Sequence, residues 1–366
     1  MTSMVHLIRH SFVAILFAVI MLAGCASDQA ASEQDDASEQ ETSEQEAAEQ
    51  AALEEETAPP PPEAAESPPL EREPAGRVVE VGDSPAGVAS DPETGLVAVG
   101  LSEPDRLALV DGSTGEVIRE TELSASPRHL KVAGPGGPVL VPAEGSWTLI
   151  QVSLPEGEVV SEIPVGAVPH DAAAGPDGRI FVINEFSESV SVIEDDEYLD
   201  TIQGAPLQLG GVDVTQSGMV GVVGVRGLDL EAYDASTLES LGRVDAGEGP
   251  THIRAGPDNR FYVIDTRGEA VLIYATEDGP EQVGSVPLPG EPYGVAIDPE
   301  RGHLWVTLTA KNELVQLALE EDTLRELARY PTVRQPNTVA VDPASGRVYV
   351  TGGADGELQI LDPRSG

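Results

Sequence analysis

Two lysines, one cysteine and two tryptophans in 366 residues set the first limits on this chain. A single cysteine excludes a disulfide scaffold and any Cys-rich metal site. Aromatic residues make up only 4%, so a core must be built from aliphatic side chains. Bases are scarce as well, 20 against 64 acids, for a net charge of −44. That balance removes the basic footprint needed to displace counterions from phosphates, and no nucleic-acid partner is expected. Long apolar runs are absent, and there is neither a Gly-X-Y period nor a sustained heptad, which excludes collagen and coiled coil. No Gly-x-Ser-x-Gly, His-Glu-x-x-His, phosphate-loop or EF-hand pattern occurs. What is plentiful is glycine and proline, 38 and 30 residues, with 40% apolar residues. The chain is rich in turns.

The longest apolar run, 12–22, is too short to span a bilayer and suits the core of a signal peptide. It ends in Leu22-Ala23-Gly24-Cys25, which resembles a bacterial lipobox, and the only cysteine falls at the position that motif lipidates. Residues 1–24 are therefore expected to be removed. Cys25 is expected to carry the lipid, with more than one acyl chain giving stable anchoring. Residues 26–76 hold 16 acids, one base (Arg72), repeated Ser-Glu-Gln and the tetraproline Pro59–Pro62. With only Leu53 and Leu70 as large apolar side chains, 25–76 is expected to be a lipidated, disordered, acidic tether. The protein is then extracytoplasmic, held at the bacterial cell membrane or outer membrane.

The remainder, 77–366, is one unit repeated seven times. Units open at Pro85, Pro127, Pro169, Leu209, Pro250, Pro292 and Pro336, a spacing of 40–44 residues. This is the period of four-stranded, WD40-like propeller blades. Each unit has a short strand, a turn such as Asp91-Pro-Glu-Thr-Gly or Gly175-Pro-Asp-Gly, and then β-rich runs such as Arg179-Ile-Phe-Val-Ile. The seventh unit ends after three strands. Arg77-Val-Val-Glu-Val-Gly resembles the missing fourth and is expected to close the ring. The expected fold is all-β: a seven-bladed β-propeller of four-stranded blades whose N-terminal strand completes the last blade.

The stretch Pro169-His…Gly-Pro-Asp-Gly-Arg-Ile-Phe-Val-Ile-Asn (169–184) resembles the YVTN repeat of surface-layer and YncE-like β-propellers. The resemblance covers all seven units and implies the fold more than an activity. The motif's final asparagine survives only as Asn184. Among related propellers, lactonase-like members hydrolyse sugar lactones. Streptogramin lyases use a Pro-His with a glutamate fourteen residues after the histidine, plus Mg²⁺. Here that position is Asn184 and the glutamate is Glu185, one step further, a departure that argues against the lyase.

Repeat alignment isolates a candidate site. Position four is always aliphatic (Val88, Leu130, Ala172, Val212, Ile253, Val295, Val339), as packing between blades requires. Positions three and five share a strand face and carry His129, Lys131, Asp171, Asp213, His252 and Arg254, while position two adds Arg128, His170, Tyr293 and Asn337. In a domain of net charge near −30 (48 acids, 18 bases) this is a local basic, histidine-rich patch at one channel mouth. Solvation of a water-filled lumen, a small anionic ligand and a His-ligated metal are the three readings of it. No metal or cofactor is assigned from the sequence. Trp147 and Trp305 occupy unrelated repeat positions and read as packing, and His303 as a half-buried surface residue. The excess acid reads as solubility adaptation.

The functional expectation is a lipid-anchored, monomeric propeller that binds a small ligand or an envelope protein without catalysis. A lactonase-like hydrolase and a structural envelope protein are the alternatives. Cys25→Ala is expected to leave an unprocessed precursor that stays out of the detergent phase, measured by phase partition and intact mass; continued acylation of the mutant would defeat the lipobox assignment.

Overall fold

The computed structural model describes residues 60–363, and Cys25, the signal and the tether as far as residue 59 lie outside them. The described chain forms seven antiparallel sheets of four strands arranged in a ring, with one short 3₁₀ turn at Thr309–Lys311. Six blades use four consecutive strands. Blade 3 is typical: Pro169–Ala174 innermost, then Ile180–Asn184, Ser189–Glu194 and Glu197–Gln203 outermost. Middle strands are buried along their whole length and outer strands are largely exposed, so hydrophobicity runs continuous in the former and broken in the latter.

The seventh blade is completed from the other end of the chain. Arg77–Glu80 pairs antiparallel with Glu357–Leu361, Arg77 opposite Ile360 and Glu80 opposite Glu357. The expected closing strand is present, and it leaves no open edge between first and last blades.

The core is a set of apolar seams. One joins Tyr262, Ile264 and Ile273 of blade 5 to Val295, Val306 and Leu317 of blade 6. Every position-four residue is buried in such a seam, as the repeat alignment required. Trp305 is buried in the seam between blades 6 and 7. Trp147 departs from its packing assignment: it lies 54% exposed on a turn.

Many acids are turn-makers. Asp111 Oδ1 accepts the backbone N–H groups of Ser113 and Thr114, and Asp234 does the same for Ser236 and Thr237. The bond from the Ser113 hydroxyl, with these backbone donors, holds the Asp111 carboxyl down at about 2. Asp91 both caps its own turn at Thr94 and accepts Gly136 N–H from the next blade. The repeated Asp-x-x-x-Gly spacing is thus turn chemistry.

A feature of the inner strands matters for the site. In five blades the pairing with the second strand slips between repeat positions one and three, as between Pro169 and Asp171, and in blade 6 between positions one and four. The residue at position two sits in a β-bulge, which re-aims its side chain.

Residues 60–76 do not behave as composition suggested. Ala75 donates to Pro331 O, Gln359 donates to Ala75 O, and Asn312 donates to Pro68 O. From Pro60 onward the presumed tether is laid on the domain.

Deleting 77–81 should lower the melting temperature sharply, because the last blade loses its outer strand. Deleting 26–58 should leave it unchanged. Thermal unfolding of the two deletions decides this, and equal tolerance would remove the closing role.

Candidate functional site

Two layers of polar residues occupy the inner strands. The deeper layer is a set of bridges between blades. Lys131 of blade 2 donates to Asp171 Oδ2 of blade 3 at 2.7 Å and to Val212 O of blade 4 at 2.5 Å. Asp171 also accepts Val212 N–H, at 3.2 Å. Asp213 repeats the device one blade on, accepting Ala255 N–H at 3.0 Å. Arg254 donates to Ile253 O at 3.1 Å and lies within electrostatic reach of Lys131 and Asp171. Burial pushes the Lys131 ammonium below its ordinary range against the pull of Asp171. Burial likewise opposes ionisation of Asp171, but Lys131 and Arg254 outweigh it and hold that carboxyl low.

The outer layer lies at the mouth. His129, His170 and His252, from blades 2, 3 and 5, converge: ring centroids of His129 lie 4.9 Å from His170 and 4.7 Å from His252. Tyr293 of blade 6 stacks edge-on against His252 at 4.6 Å. The bulge explains how position-two His170 meets position-three His129 and His252. His129 and His252 approach Nε2 to Nε2 at 3.2 Å, which requires opposite tautomers of two neutral rings. Burial, then neighbouring positive groups, drives His252 down to about 3 and His129 well below its ordinary value.

His170 is set apart from them. Its Nδ1 lies 3.2 Å from Glu185 and 3.6 Å from Glu144. Burial opposes its charge, yet the two carboxylates win and raise it above 6.5. Glu185 is fixed by Gln208 Nε2 at 2.9 Å, and Glu144 by Arg128 Nε at 3.0 Å. One ligand atom from each of Glu144, His170 and Glu185 falls within 4.8 Å of the others. His252 Nδ1 and His170 Nδ1 are buried and make no hydrogen bond of good geometry. The space bounded by Arg128, His170, Glu185, Gln208, His252 and Tyr293 is about 30 Å³ and is roofed by Pro61, Pro62 and Glu63. That volume suits a water or a single ion.

All eight charged or histidine residues singled out by the repeat alignment line the inner strands, but in two groups with different work. Lys131, Asp171 and Asp213 bond across blades, and Arg254 lies among them while donating to its own neighbour, Ile253 O. Arg128, His129, His170 and His252 form the mouth. The expected surplus of positive charge is absent there, since Arg128 and Lys131 are ion-paired and two histidines are neutral. Glu144 and Glu185 were not assigned to the site. Glu144 and Glu185 each occupy the first position after the second strand, in neighbouring blades. Aligning that turn as well as the inner strand would have exposed them. The offset of Glu185 by one residue does not separate it from His170. On the same two turns stand Trp147 and Phe186, the latter 65% exposed. Asn184 is a turn anchor, donating to Ser189 O, Ser189 Oγ and Ser191 Oγ. Asp265 fills its role in blade 5, accepting three backbone N–H groups. His303 is half-buried, as expected, on Gln316.

No family model matches the chain, and no curated protein matches it in sequence. Solved structures do. Hydrazine synthase of Kuenenia stuttgartiensis shares 16% identity over 78% of this chain and 97% of its own, with a TM-score of 0.69. Virginiamycin B lyase from Staphylococcus aureus shares 14% over 78% and 98%, with a TM-score of 0.65. The Cps50 (Swd1) β-propeller domain of Myceliophteria thermophila shares 13% over 78% and 100%, with a TM-score of 0.67. The chain is a seven-bladed β-propeller. At these identities the likeness fixes the architecture and leaves chemistry to the residues themselves.

Asp171→Ala should cost about 3–5 kcal/mol, because it strands the Lys131 charge in the lumen. Lys131→Met combined with Asp171→Leu should recover most of that loss. Urea unfolding of the three variants measures it; a single-mutant cost below about 1 kcal/mol would mean a solvated pair.

Proposed function

We propose that this propeller binds a divalent cation, or a small ligand held through one, at the channel mouth, and is displayed outside the cytoplasm on a lipid anchor at Cys25. The observation that carries the reading is the convergence of Glu144, His170 and Glu185 around one point, beside the buried His252 Nδ1, which has no hydrogen-bond partner. Two carboxylates and an imidazole suit zinc, manganese or a similar borderline ion. The anionic-ligand reading is weakened by the pairing of Arg128 with Glu144 and of Lys131 with Asp171. In this reading Arg128 holds Glu144 in place until the cation takes over its carboxylate.

A second reading places acid–base chemistry on an ester or lactone at the same mouth. It is supported by a proton-rich His170 next to a neutral His129, a separation of proton affinities that hydrolysis can use. A lyase stands among the structural neighbours. Turnover of sugar lactones that is lost in His170→Ala would bring this reading forward.

Zinc or manganese titration by calorimetry tests the first reading. Metal must displace the proton of His170, so affinity should rise as pH climbs through the raised value of that group, and binding should release a proton. Glu144→Gln with Glu185→Gln should weaken binding by more than the ~10–100-fold that loss of an outer-shell partner costs. Unchanged affinity in that double variant would refute the site.

A further inference from the structure

The mouth is covered by the chain's own N-terminal segment. Arg267 of blade 5 donates to Pro60 O at 2.7 Å. Pro61, Pro62 and Glu63 then roof the cavity over His170, Glu185 and His252. The Ala64 backbone N–H faces the Tyr293 phenol oxygen. Gln335 of blade 7 clamps the next turn: its Nε2 donates to Ala65 O at 2.7 Å, and its Oε1 accepts Ser67 N–H at 3.0 Å. Arg72 closes the run on Glu313 at 2.6 Å.

The chemistry of this contact is that of a removable cover. Consecutive prolines are stiff and extended before they bind, so little order is lost on docking. Proline carries no N–H, and the carbonyls of this stretch are met by side chains of the rim. Yet the segment brings no large apolar side chain between Pro60 and Pro69, and its ion pair is exposed. It therefore contributes shape and a few hydrogen bonds, without the apolar burial that would lock it down.

We propose that Pro61–Glu63 is a plug in cis: the mouth site is closed to anything larger than water or a bare ion while the plug is seated, and opens when residues 60–67 lift from the rim of blades 5–7. This rests on the mouth being the binding site, and it adds the regulation of that site. Because residue 60 continues directly into 26–59, the segment expected to lead to the anchor, a pull on or a partner for that stretch would act on access.

The test reads histidine exposure directly, with diethylpyrocarbonate, which modifies neutral imidazoles, and peptide mass spectrometry on the full chain. Two opened variants are compared with the parent: Pro61→Gly with Pro62→Gly and Glu63→Gly, and Arg267→Ala with Gln335→Ala. His252 should be protected in the parent and react at least about tenfold faster in both variants, as expected when a closed state limits the competent fraction. His303, remote from the plug, should react equally in all three and so report intact folding. Reaction of His252 in the parent as fast as in the variants would overturn the plug. Zinc titration of the same variants separates the two ideas. If they are modified faster yet bind no zinc, the cation reading fails and the plug stands; if they bind zinc but His252 reacts no faster than in the parent, the plug fails and the cation reading stands.

Discussion

A ring of blades exists only if its last seam closes, and here that seam rests on a strand borrowed from the opposite end of the domain. Arg77–Glu80 pairs with Glu357–Leu361, and Val81 adds one more backbone bond to Gly356. This constraint reaches further than stability. Once residue 77 is tied to the outside of blade 7, the described residues before it set out from that blade. Residues 60–76 do so along the mouth, over blades 7, 6 and 5, and reach the histidines. A closure from the C-terminal end alone would have left the mouth uncovered. The route of the chain, set by ring closure, is what places prolines over the polar site.

The lumen shows how a small difference in surroundings separates like side chains. His170 and His252 each lie within about 5 Å of His129. His170 and His252 are buried and His129 is half-buried, which penalises charge in each. Two meet each other and mainly positive neighbours, and stay neutral. The third finds Glu144 and Glu185, and holds its proton. Those glutamates arrive on turns between second and third strands, one from blade 2 and one from blade 3. The functional unit is therefore a seam between two blades.

Much of the architecture was legible because the repeat is redundant. Position four could be checked seven times, and Asp91, Asp298 and Asp342 each marked a turn. Closure could be counted from a blade with three strands. The site was legible only along the inner strand, where alternation gave parity. The bulge at position two breaks that parity, so His170 meets residues that strict alternation would put on the opposite face. Glu144 and Glu185 belong to another strand's turn and left no trace in an inner-strand alignment. Trp147 shows the limit of position statistics, since a turn residue outside the repeat pattern is exposed and Trp305 on a middle strand is buried. The segment 60–76 was misread for a different reason. Composition measures apolar burial, and this segment is held by backbone carbonyls and by Arg72 on Glu313.

The charge of the domain bears on what the mouth would take. Part of the acid is structural, spent on turns such as Asp111 and Asp234, and part knits blades, as Asp171 and Asp213 do. The remainder leaves the propeller at about −30 with nearly all its bases already paired or at the surface. Such a field concentrates cations near every opening and repels anions before contact. An anion site would need unpaired positive charge to overcome it. Arg128 is bound to Glu144, and Lys131 is bound to Asp171. A cation site needs carboxylates that are fixed and only partly neutralised, which is the state of Glu144 and Glu185 beside His170. Global field and local geometry favour the same sign of ligand, and the field's contribution weakens with added salt while the local one, being buried, does not.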